Sequence, residues 1–395
     1  MPKYAQRIRA AFGKKGETPF LLPKGLRSGC RCVIKREKMF SVPAARTDQN
    51  EKRRKKASAM IELKQPRSGA CICLQTSMQK DFIANGRKYL TGELDLYSFR
   101  RQSVVFNDPS VPAKITFVWE QKDGFLSRLE VSKTPDFAKI FLSAEARNSF
   151  EAYNFEIGTT YYWRVTNPKE ESEVFSFTTV DAAPRFLYVS GTTCNVRDIG
   201  GYVTEDGRRI KQGMLLRGAE LDMRLQIDEV GRKILHDTLG VRTDIDLRDE
   251  AIGYTFSSPI GEDVAFVQMP MRAYTEYISP ENFENLKTVF AVLTDPNSYP
   301  AYFHCWGGAD RTGCLAFTLE ALLGLEEAKL MQDFELTCLS GWENIRKRDD
   351  ENFAAMVAEL RKMGSTWRER VTNFLVGCGV PAAQLEAFRE IMLED

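Results

Sequence analysis

Histidine is scarce in this sequence, with two residues in 395. Zinc-dependent hydrolases take several of their metal ligands from histidine, so we expect no metal and no other cofactor. Long apolar runs are also missing, and no stretch approaches the roughly 18 residues that a membrane helix needs. The N-terminus lacks the apolar segment of a secretory signal. We therefore expect a cytoplasmic protein; a true start at Met60 or Met78 would leave secretion open.

Acidic residues are few near the N-terminus. The first sixty positions hold 17 Lys and Arg against 4 Asp and Glu, so the totals of 55 and 54 leave 38 against 50 for the rest of the chain. A block of like charge repels itself, and Gly, Pro and charge clusters replace apolar periodicity in residues 1–90. We expect residues 1–90 to be a basic, mostly disordered tail and linker. Contact of residues 52–56 with nucleic acid or an acidic surface is the less favoured alternative.

The nine cysteines show no disulfide framework, because their number is odd and they are spread along a long chain. We expect reduced thiols. One residue separates Cys30 from Cys32 and Cys71 from Cys73, whereas the usual zinc knuckle has two, so a zinc site is not favoured. With 43% apolar and 28% charged residues, the chain can bury the cores of two folded domains.

Residues 104–180 carry short runs in which apolar and polar residues alternate. Such runs, rich in aromatic and β-branched residues and separated by turn signals, predict a small antiparallel sandwich. They lie at 115–119, 127–132, 160–165 and 174–178. The segment resembles a fibronectin type III or immunoglobulin-like module, for which a protein or a glycan is the candidate ligand. Trp119 and Trp163 are expected in its core, and a sugar-binding platform is the alternative.

From residue 186 onward, short apolar strands alternate with helical patterns. Strands are predicted at 241–247, 264–268 and 301–303, between helical segments such as 282–293 and 314–336. This order predicts an α/β domain over residues 186–395, with a central sheet flanked by helices. Such sheets bind their ligands in the loops at the carboxyl ends of the strands.

The stretch HCWGGADRTG, residues 304–313, lies in such a position between a strand and a helix. Its two glycines allow a turn that aims successive backbone N–H groups at the helix N-terminus, which makes an anion site. Beside these amides and Arg311, Cys305 is favoured as a thiolate and hence as a nucleophile. The Arg311 guanidinium can hold two phosphate oxygens while the sulfur attacks. The loop's other predicted phosphate-binding residues are Trp306, Gly307, Gly308 and Ala309.

These ten residues match the Cys-x5-Arg signature of protein tyrosine phosphatases. They most resemble the bacterial-type tyrosine and dual-specificity branch, whose loop reads Asp-Arg-Thr-Gly. Further motifs of that branch resemble the upstream stretches 195–202, 206–213, 216–218 and 242–248. The resemblance covers residues 186–395 and implies the cysteine-dependent protein tyrosine phosphatase fold, a central, mainly parallel sheet flanked by helices, after an N-terminal all-β sandwich. It also implies a phosphate contact for Arg248, for which an ordinary salt-bridged surface position is the alternative.

Hydrolysis of a phosphate ester needs a proton for the departing oxygen and a base for the attacking water. The resemblance points to Asp310 for both, and Asp246, at the end of a predicted strand, is the alternative. His304 is expected to hydrogen-bond the backbone near Cys305 and to tune the thiolate. Thr312 is expected to donate its hydroxyl to the sulfur when the phosphate leaves.

The resulting hypothesis is a metal-independent protein tyrosine phosphatase, with dual specificity left open, that works through a cysteinyl-phosphate intermediate. Its substrate would be a phosphorylated protein or a small phosphomonoester. The rival enzyme acts on inositol phosphates, sugar phosphates or phosphoinositides. Some members of the branch carry Lys before the loop aspartate, which favours highly phosphorylated substrates, and Ala309 weakens that reading here. A catalytically silent phosphate-binding adaptor is the other rival, and the intact Cys305, Asp310 and Arg311 argue against it.

Overall fold

The computed structural model describes residues 61–106, 108–122, 124–248, 257–340 and 345–395, which all belong to one compact unit. The tail predicted at residues 1–60, including Cys30 and Cys32, lies outside the described residues. None of the helices within these ranges is long and apolar enough to span a membrane.

Two sheets form the N-terminal part of this unit. One holds three strands in the order β1 (Ile61–Gln65), β3 (Ile115–Gln121) and β6 (Ser149–Ala152). The other holds five, in the order β2 (Ala70–Ile72), β8 (Phe175–Thr179), β7 (Thr160–Thr166), β4 (Ser127–Ser132) and β5 (Ile140–Ala146). Buried and less buried residues alternate along β3 and β7, and the buried ones share one apolar core. Trp119 and Trp163, 1% and 0% exposed, lie in this core rather than on a sugar-binding platform.

Residues 61–90 are folded, so the prediction that the linker extends to residue 90 is wrong for this part. β1 pairs antiparallel with β3, and β2 pairs parallel with β8. Helix α1 (Ser77–Thr91) begins with a capping box formed by Thr76 and Gln79 and ends at Gly92, where φ is 85°. Both strands lie at sheet edges and find their partners far along the chain, which is why local periodicity did not reveal them.

The second part of the unit contains a six-stranded sheet. Its order is β13 (Ala265–Gln268), β12 (Thr243–Asp246), β14 (Ala301–His304), β11 (Leu215–Gly218), β10 (Arg197–Asp198) and β9 (Arg185–Phe186). The pairs among the first four strands are parallel, and the last two strands are added antiparallel. The predicted α/β layout with a mainly parallel sheet is therefore confirmed. β14 lies between β12 and β11, so its carboxyl end opens at the centre of the sheet.

Seven helices in the described residues follow the start of this sheet. They are α3 (Glu229–Lys233), α4 (Phe283–Leu293), α5 (Arg311–Leu323), α6 (Glu327–Glu335), α7 (Glu351–Arg361), α8 (Trp367–Gly377) and α9 (Ala382–Met392). Helix α5 is buried from Thr312 to Leu323, because it packs on β11 and β14 on one side and on α6, α8 and α9 on the other. A helix packed on all sides holds its first residues in a fixed position.

Helix α1 and helix α2 (Leu96–Phe106) also pack against this second part. Phe82 and Leu90 of α1 and Phe99 of α2 form one apolar cluster with Leu336 and Leu339. The last two belong to a 3-10 turn that directly follows α6. The N-terminal helices thus pack against the segment that directly follows α6.

We expect Phe82→Ala to lower the free energy of unfolding by about 3 kcal/mol, because the buried ring, 2% exposed, would leave a cavity. Urea denaturation of the full chain measures this change. Tyr97→Ala is the matched control, since Tyr97 lies on α2 and is 69% exposed, and should change the value by no more than about 0.5 kcal/mol. Equal losses in the two variants would contradict the packing of α1 described above.

Candidate active site

The loop between β14 and α5 starts after His304 and ends where helix α5 begins at Arg311. Gly308 in this loop has a φ of 64°, a conformation that favours glycine. A Cβ atom at this position would lie 2.4 Å from the carbonyl oxygen of Gly218. The loop therefore packs directly against the end of β11, and a side chain at position 308 would push it off this support.

Side chains from two upstream motifs hold the carbonyl groups of the loop. Asn195 Nδ2 donates to the carbonyl oxygens of Gly307 at 3.2 Å and Gly308 at 3.0 Å, and Arg217 Nη2 donates to that of Gly308 at 2.9 Å. Because a trans peptide sets N–H and C=O on opposite sides, the N–H groups of Gly308 and Ala309 face away from this support. Within the described residues, the N–H groups of residues 307–309 donate no hydrogen bond. Successive unpartnered amides of this kind suit an anion.

A buried ion cluster fixes the side chains that support the loop. Asp333 on α6 accepts from Arg197 Nε at 2.7 Å and binds Arg217 through its other oxygen. Arg197 also donates to Asn195 Oδ1 at 2.5 Å. Burial alone would raise the pKa of Asp333, but the two guanidiniums lower it below its usual range. All four side chains are buried, so the upstream motifs form a rigid scaffold for the loop.

His304 supplies positive charge directly before Cys305. Its Nε2 lies 3.1 Å from Asp244 Oδ1, an ion-pair distance at an angle that makes no hydrogen bond, and its Nδ1 lies 3.3 Å from the Cys305 carbonyl oxygen. Burial opposes protonation, but the charge of Asp244 outweighs it and raises the pKa of His304 to about 9. The imidazole is therefore cationic at neutral pH. This cation lies in the residue directly before Cys305, which is 4% exposed.

Asp310 lies at the N-terminal end of α5, with its side chain 34% exposed. The hydroxyl of Tyr274 donates to Oδ1, and Arg346 donates from Nε to Oδ1 at 2.6 Å and from Nη2 to Oδ2 at 2.9 Å. Burial opposes ionisation, yet these donors, together with the charge of Arg311, lower the pKa of Asp310 below its usual range. In the protein without substrate, the carboxyl is therefore an ionised acceptor at neutral pH.

Arg311 and Thr312 form the start of helix α5. Arg311 Nη1 donates to the carbonyl oxygen of Leu247 at 3.4 Å, just beyond the end of β12. Thr312 is fully buried, and its hydroxyl has no hydrogen-bond partner among the residues that the structure describes. Because buried hydroxyls are normally paired, this one is available to a group that forms in the loop.

Asp246 and Arg248 bind each other in a buried cluster. Arg248 donates to the two oxygens of Asp246 at 2.9 Å and 2.8 Å, and also to Glu220 at 2.9 Å and Asp222 at 2.8 Å. Asp246 is fully buried, so it is not placed to protonate a leaving group that enters from solvent. The Arg248 guanidinium lies 5.2 Å from the centre of the Trp306 ring. Arg248 thus supports the loop, and three carboxylates occupy the donors that we had assigned to phosphate.

Several residues of the site were not predicted, among them Asp244, Tyr274, Asp333 and Arg346. Asp244 and Asp333 carried a usable signal, since each is an acidic residue at a position buried within a strand or a helix. Tyr274 begins a short 3-10 turn, and Arg346 lies in an irregular segment. No periodic pattern marks either of the last two.

Comparison with known proteins gives the family of this chain. A family model described as "Tyrosine phosphatase family" matches residues 189–394, more than half of the chain. No curated protein matches. Among solved structures, the core catalytic domain of the PP-IP phosphatase SIW14 from S. cerevisiae is 15% identical, with 42% of this chain and 93% of that chain covered and a TM-score of 0.27. A second Siw14 catalytic core is 14% identical, with 42% and 92% covered and a TM-score of 0.26. By the family model, this chain belongs to the tyrosine phosphatase family.

Proposed function

We propose that this chain is a cysteine-dependent phosphomonoester hydrolase whose nucleophile is Cys305. The observation that carries the proposal is the run of N–H groups at residues 307–309, which have no partner among the described residues and follow Cys305 in the same loop. Their positive ends suit the oxygens of a phosphate group. Arg311, at the other end of the loop, adds a guanidinium that is charged at every physiological pH.

The first step transfers the phosphoryl group to sulfur. The Cys305 thiolate attacks phosphorus, the bond between phosphorus and the ester oxygen breaks, and that oxygen takes the proton of the Asp310 carboxyl. The loop amides and Arg311 stabilise the charge on the other three oxygens. The imidazolium of His304 stabilises the thiolate before the attack.

The second step releases inorganic phosphate. A water molecule attacks phosphorus, the Asp310 carboxylate accepts a proton from this water, and the bond between sulfur and phosphorus breaks. The unpaired Thr312 hydroxyl then donates to the returning Cys305 thiolate. Asp310 ends this step protonated, which prepares it for the next first step.

The charge state of Asp310 links the mechanism to pH. The carboxyl must be protonated for the first step, so turnover of a substrate with a poor leaving group falls as pH rises through the pKa of Asp310. Arg346 and Tyr274 lower this pKa, whereas a bound phosphate dianion raises it, because like charges disfavour each other. For such substrates we therefore expect an optimum on the acidic side of neutrality.

We propose phosphotyrosine in proteins as the substrate, with dual specificity for phosphoserine and phosphothreonine as the extension to test. The family match supports this choice, as do the branch-like Asp-Arg-Thr-Gly sequence of the loop and Ala309 in place of lysine. A protein substrate is consistent with a cytoplasmic location, which we also propose. The N-terminal pair of sheets is the proposed fibronectin type III-like module, with a protein or glycan ligand.

Inositol or sugar phosphates are the second candidate, and one observation favours them. The exposed Arg224 guanidinium lies 5.0 Å from the Trp306 ring centre. The backbone N–H of Arg224 donates to Glu220 Oε1 at 2.9 Å, and among the described residues the Arg224 guanidinium forms no ion pair. A second phosphate on the substrate would suit this cation. If the substrate is an inositol polyphosphate, Arg224→Gln should lower kcat/KM for inositol polyphosphates about tenfold and spare phosphotyrosine. A wild-type kcat/KM that is higher for phosphotyrosine than for inositol polyphosphates supports phosphotyrosine.

We expect Cys305→Ser and Arg311→Ala each to lose on the order of a thousandfold in turnover of an aryl phosphate, since one variant loses the thiolate and the other the charge that faces the phosphate. The melting temperature should stay close to that of the wild type. Cys73→Ser, which changes a half-buried thiol in the N-terminal part, is the matched control and should remain active. A chelator should leave the wild type unaffected.

Retained turnover in Cys305→Ser would show that Cys305 is not the nucleophile. Loss of wild-type turnover on chelation would contradict the thiolate mechanism and indicate a metal-dependent one. If the protein is a catalytically silent adaptor, the wild type should bind phosphate but should not turn over an aryl phosphate.

We expect Asp310→Asn to depress turnover of phosphotyrosine on the order of a hundredfold. With an aryl phosphate whose phenol is strongly acidic, the variant should spare the first step, in which the cysteine is phosphorylated, because that leaving group does not need a proton. Rapid-mixing measurement of the phenol burst separates the first step from the second. Asp246→Asn is the control: it breaks a buried ion pair with Arg248, so it should lower the melting temperature without changing the ratio between the two substrates. A substrate ratio that changes in Asp246→Asn and not in Asp310→Asn assigns the acid to Asp246.

A further inference from the structure

The carboxyl group of Asp310 is held from two sides. The Tyr274 hydroxyl and Arg346 Nε both donate to Oδ1, and Arg346 Nη2 donates to Oδ2. The two donors come from separate segments of the chain, and neither belongs to the loop or to helix α5. Asp310 therefore depends for its position on groups outside the Cys-x5-Arg signature.

Tyr274 is held both at its backbone and at its side-chain hydroxyl. Its φ is 60°, a value that is rare for a bulky residue and persists only where neighbouring contacts enforce it. Its backbone N–H donates to Cys314 Sγ at 3.2 Å, and its ring meets Phe334 edge to face, 6.4 Å between centres. Since Asp310 and Cys314 both belong to the start of α5, Tyr274 attaches its own segment to that helix at two points.

Arg346 is fixed by the segment that carries it. Its N–H donates to Cys338 Sγ at 3.3 Å, and the Cys338 thiol donates to its carbonyl oxygen at 3.2 Å. Arg348, two residues on, binds Glu335 at 2.7 Å, and Glu335 also binds Arg87 of helix α1 at 2.9 Å. The guanidinium that pairs with Asp310 thus rests on the end of α6 and on the N-terminal helices.

A cavity of about 370 Å³ lies beside these groups. Its lining includes Arg272, Tyr274, Asp310, Arg311 and Asn352. Arg311 belongs to the phosphate-binding loop, so a leaving group bound next to the loop has room to approach the Asp310 carboxyl here. The Asp310 carboxyl can bind this leaving group only if one of its oxygens gives up a hydrogen bond from Tyr274 or Arg346.

We propose that Tyr274 and Arg346 are positioning residues that clamp the Asp310 carboxyl and stabilise the carboxylate left behind when its proton moves to the leaving group. This inference rests on the proposed function and deepens it. The charged and titratable groups that face Asp310 are Tyr274, Arg346, Arg311 and the Cys314 thiol, and Arg272 and Glu276 line the same cavity. Of these, Arg346 makes the most direct contacts.

The clamp has two opposite effects on the first step. Arg346 and Tyr274 lower the pKa of Asp310, so fewer molecules carry the proton at neutral pH. The same contacts make the protonated carboxyl a stronger acid, which speeds the transfer in those molecules that carry it. Without the clamp, the basic limb of the pH profile should move to higher pH and the plateau below it should fall.

The test is the pH profile of kcat/KM in the full-length protein, measured with phenyl phosphate, which has a poor leaving group. We expect Arg346→Gln to move the basic limb upward by on the order of one pH unit and to lower the plateau several-fold. Tyr274→Phe should move it in the same direction by less, and Arg346→Lys should restore part of the shift. Lys347→Gln is the control, because it removes a neighbouring positive charge and leaves the contacts of Arg346 with Asp310 intact, and it should leave the limb in place.

An unmoved limb in Arg346→Gln and Tyr274→Phe, where Asp310→Asn abolishes it, overturns the clamp and leaves the proposed function intact. Equal shifts in Lys347→Gln and Arg346→Gln also overturn it, since they would reflect a general effect of positive charge in this segment. Should Arg346→Gln fail to fold, Arg346→Lys and Tyr274→Phe decide the matter by the same limb. Full activity of Cys305→Ser, by contrast, would contradict the proposed function itself.

Discussion

Asp333 joins two buried guanidiniums, those of Arg197 and Arg217, and through them it determines where the carbonyl groups of the loop between β14 and α5 point. Arg217 binds the Gly308 carbonyl oxygen directly, and Arg197 orients Asn195, which binds the same oxygen. If the carbonyls were free to rotate, the amides of residues 307–309 would no longer face one side. A buried charge pair of this kind contributes little to stability, and its use here is to fix one geometry.

Positive side chains lie close to both ends of the loop. Arg197 and Arg217 contribute two positive charges against the single negative charge of Asp333. Burial and the nearby Asp333 raise the pKa of the fully buried Glu320 well above its usual range, which disfavours a second negative charge beside the two guanidiniums. His304 adds a positive charge on the other side of Cys305, which Asp244 balances, and Arg311 adds one at the start of α5. The only carboxyl at the loop itself, Asp310, is neutralised by Arg346.

The sequence was informative where the chemistry is local. Cys305, Asp310 and Arg311 lie within seven residues of one another, and a strand, a loop and a helix follow from the surrounding apolar pattern. Asn195 and Arg217, which hold the loop, lie in stretches that the sequence analysis identified as motifs. Their contacts with Gly308 could not be predicted, because they join segments about a hundred residues apart. The Asp-Leu-Arg context of Arg248 did not reveal the carboxylates at positions 220 and 222 that pair with it. β1 and α1 were missed for the same reason: their partners are distant in the chain.

The central claim is that Cys305 carries the phosphoryl group between the two steps. Rapid acid quench of the wild-type protein during turnover of a 32P-labelled aryl phosphate, followed by peptide mapping, tests it most directly. The account predicts label on the peptide that contains Cys305, and a stronger signal in Asp310→Asn if loss of the base slows the second step more than the first. Release of phosphate with no label on the protein, or with label on a different residue, would contradict it.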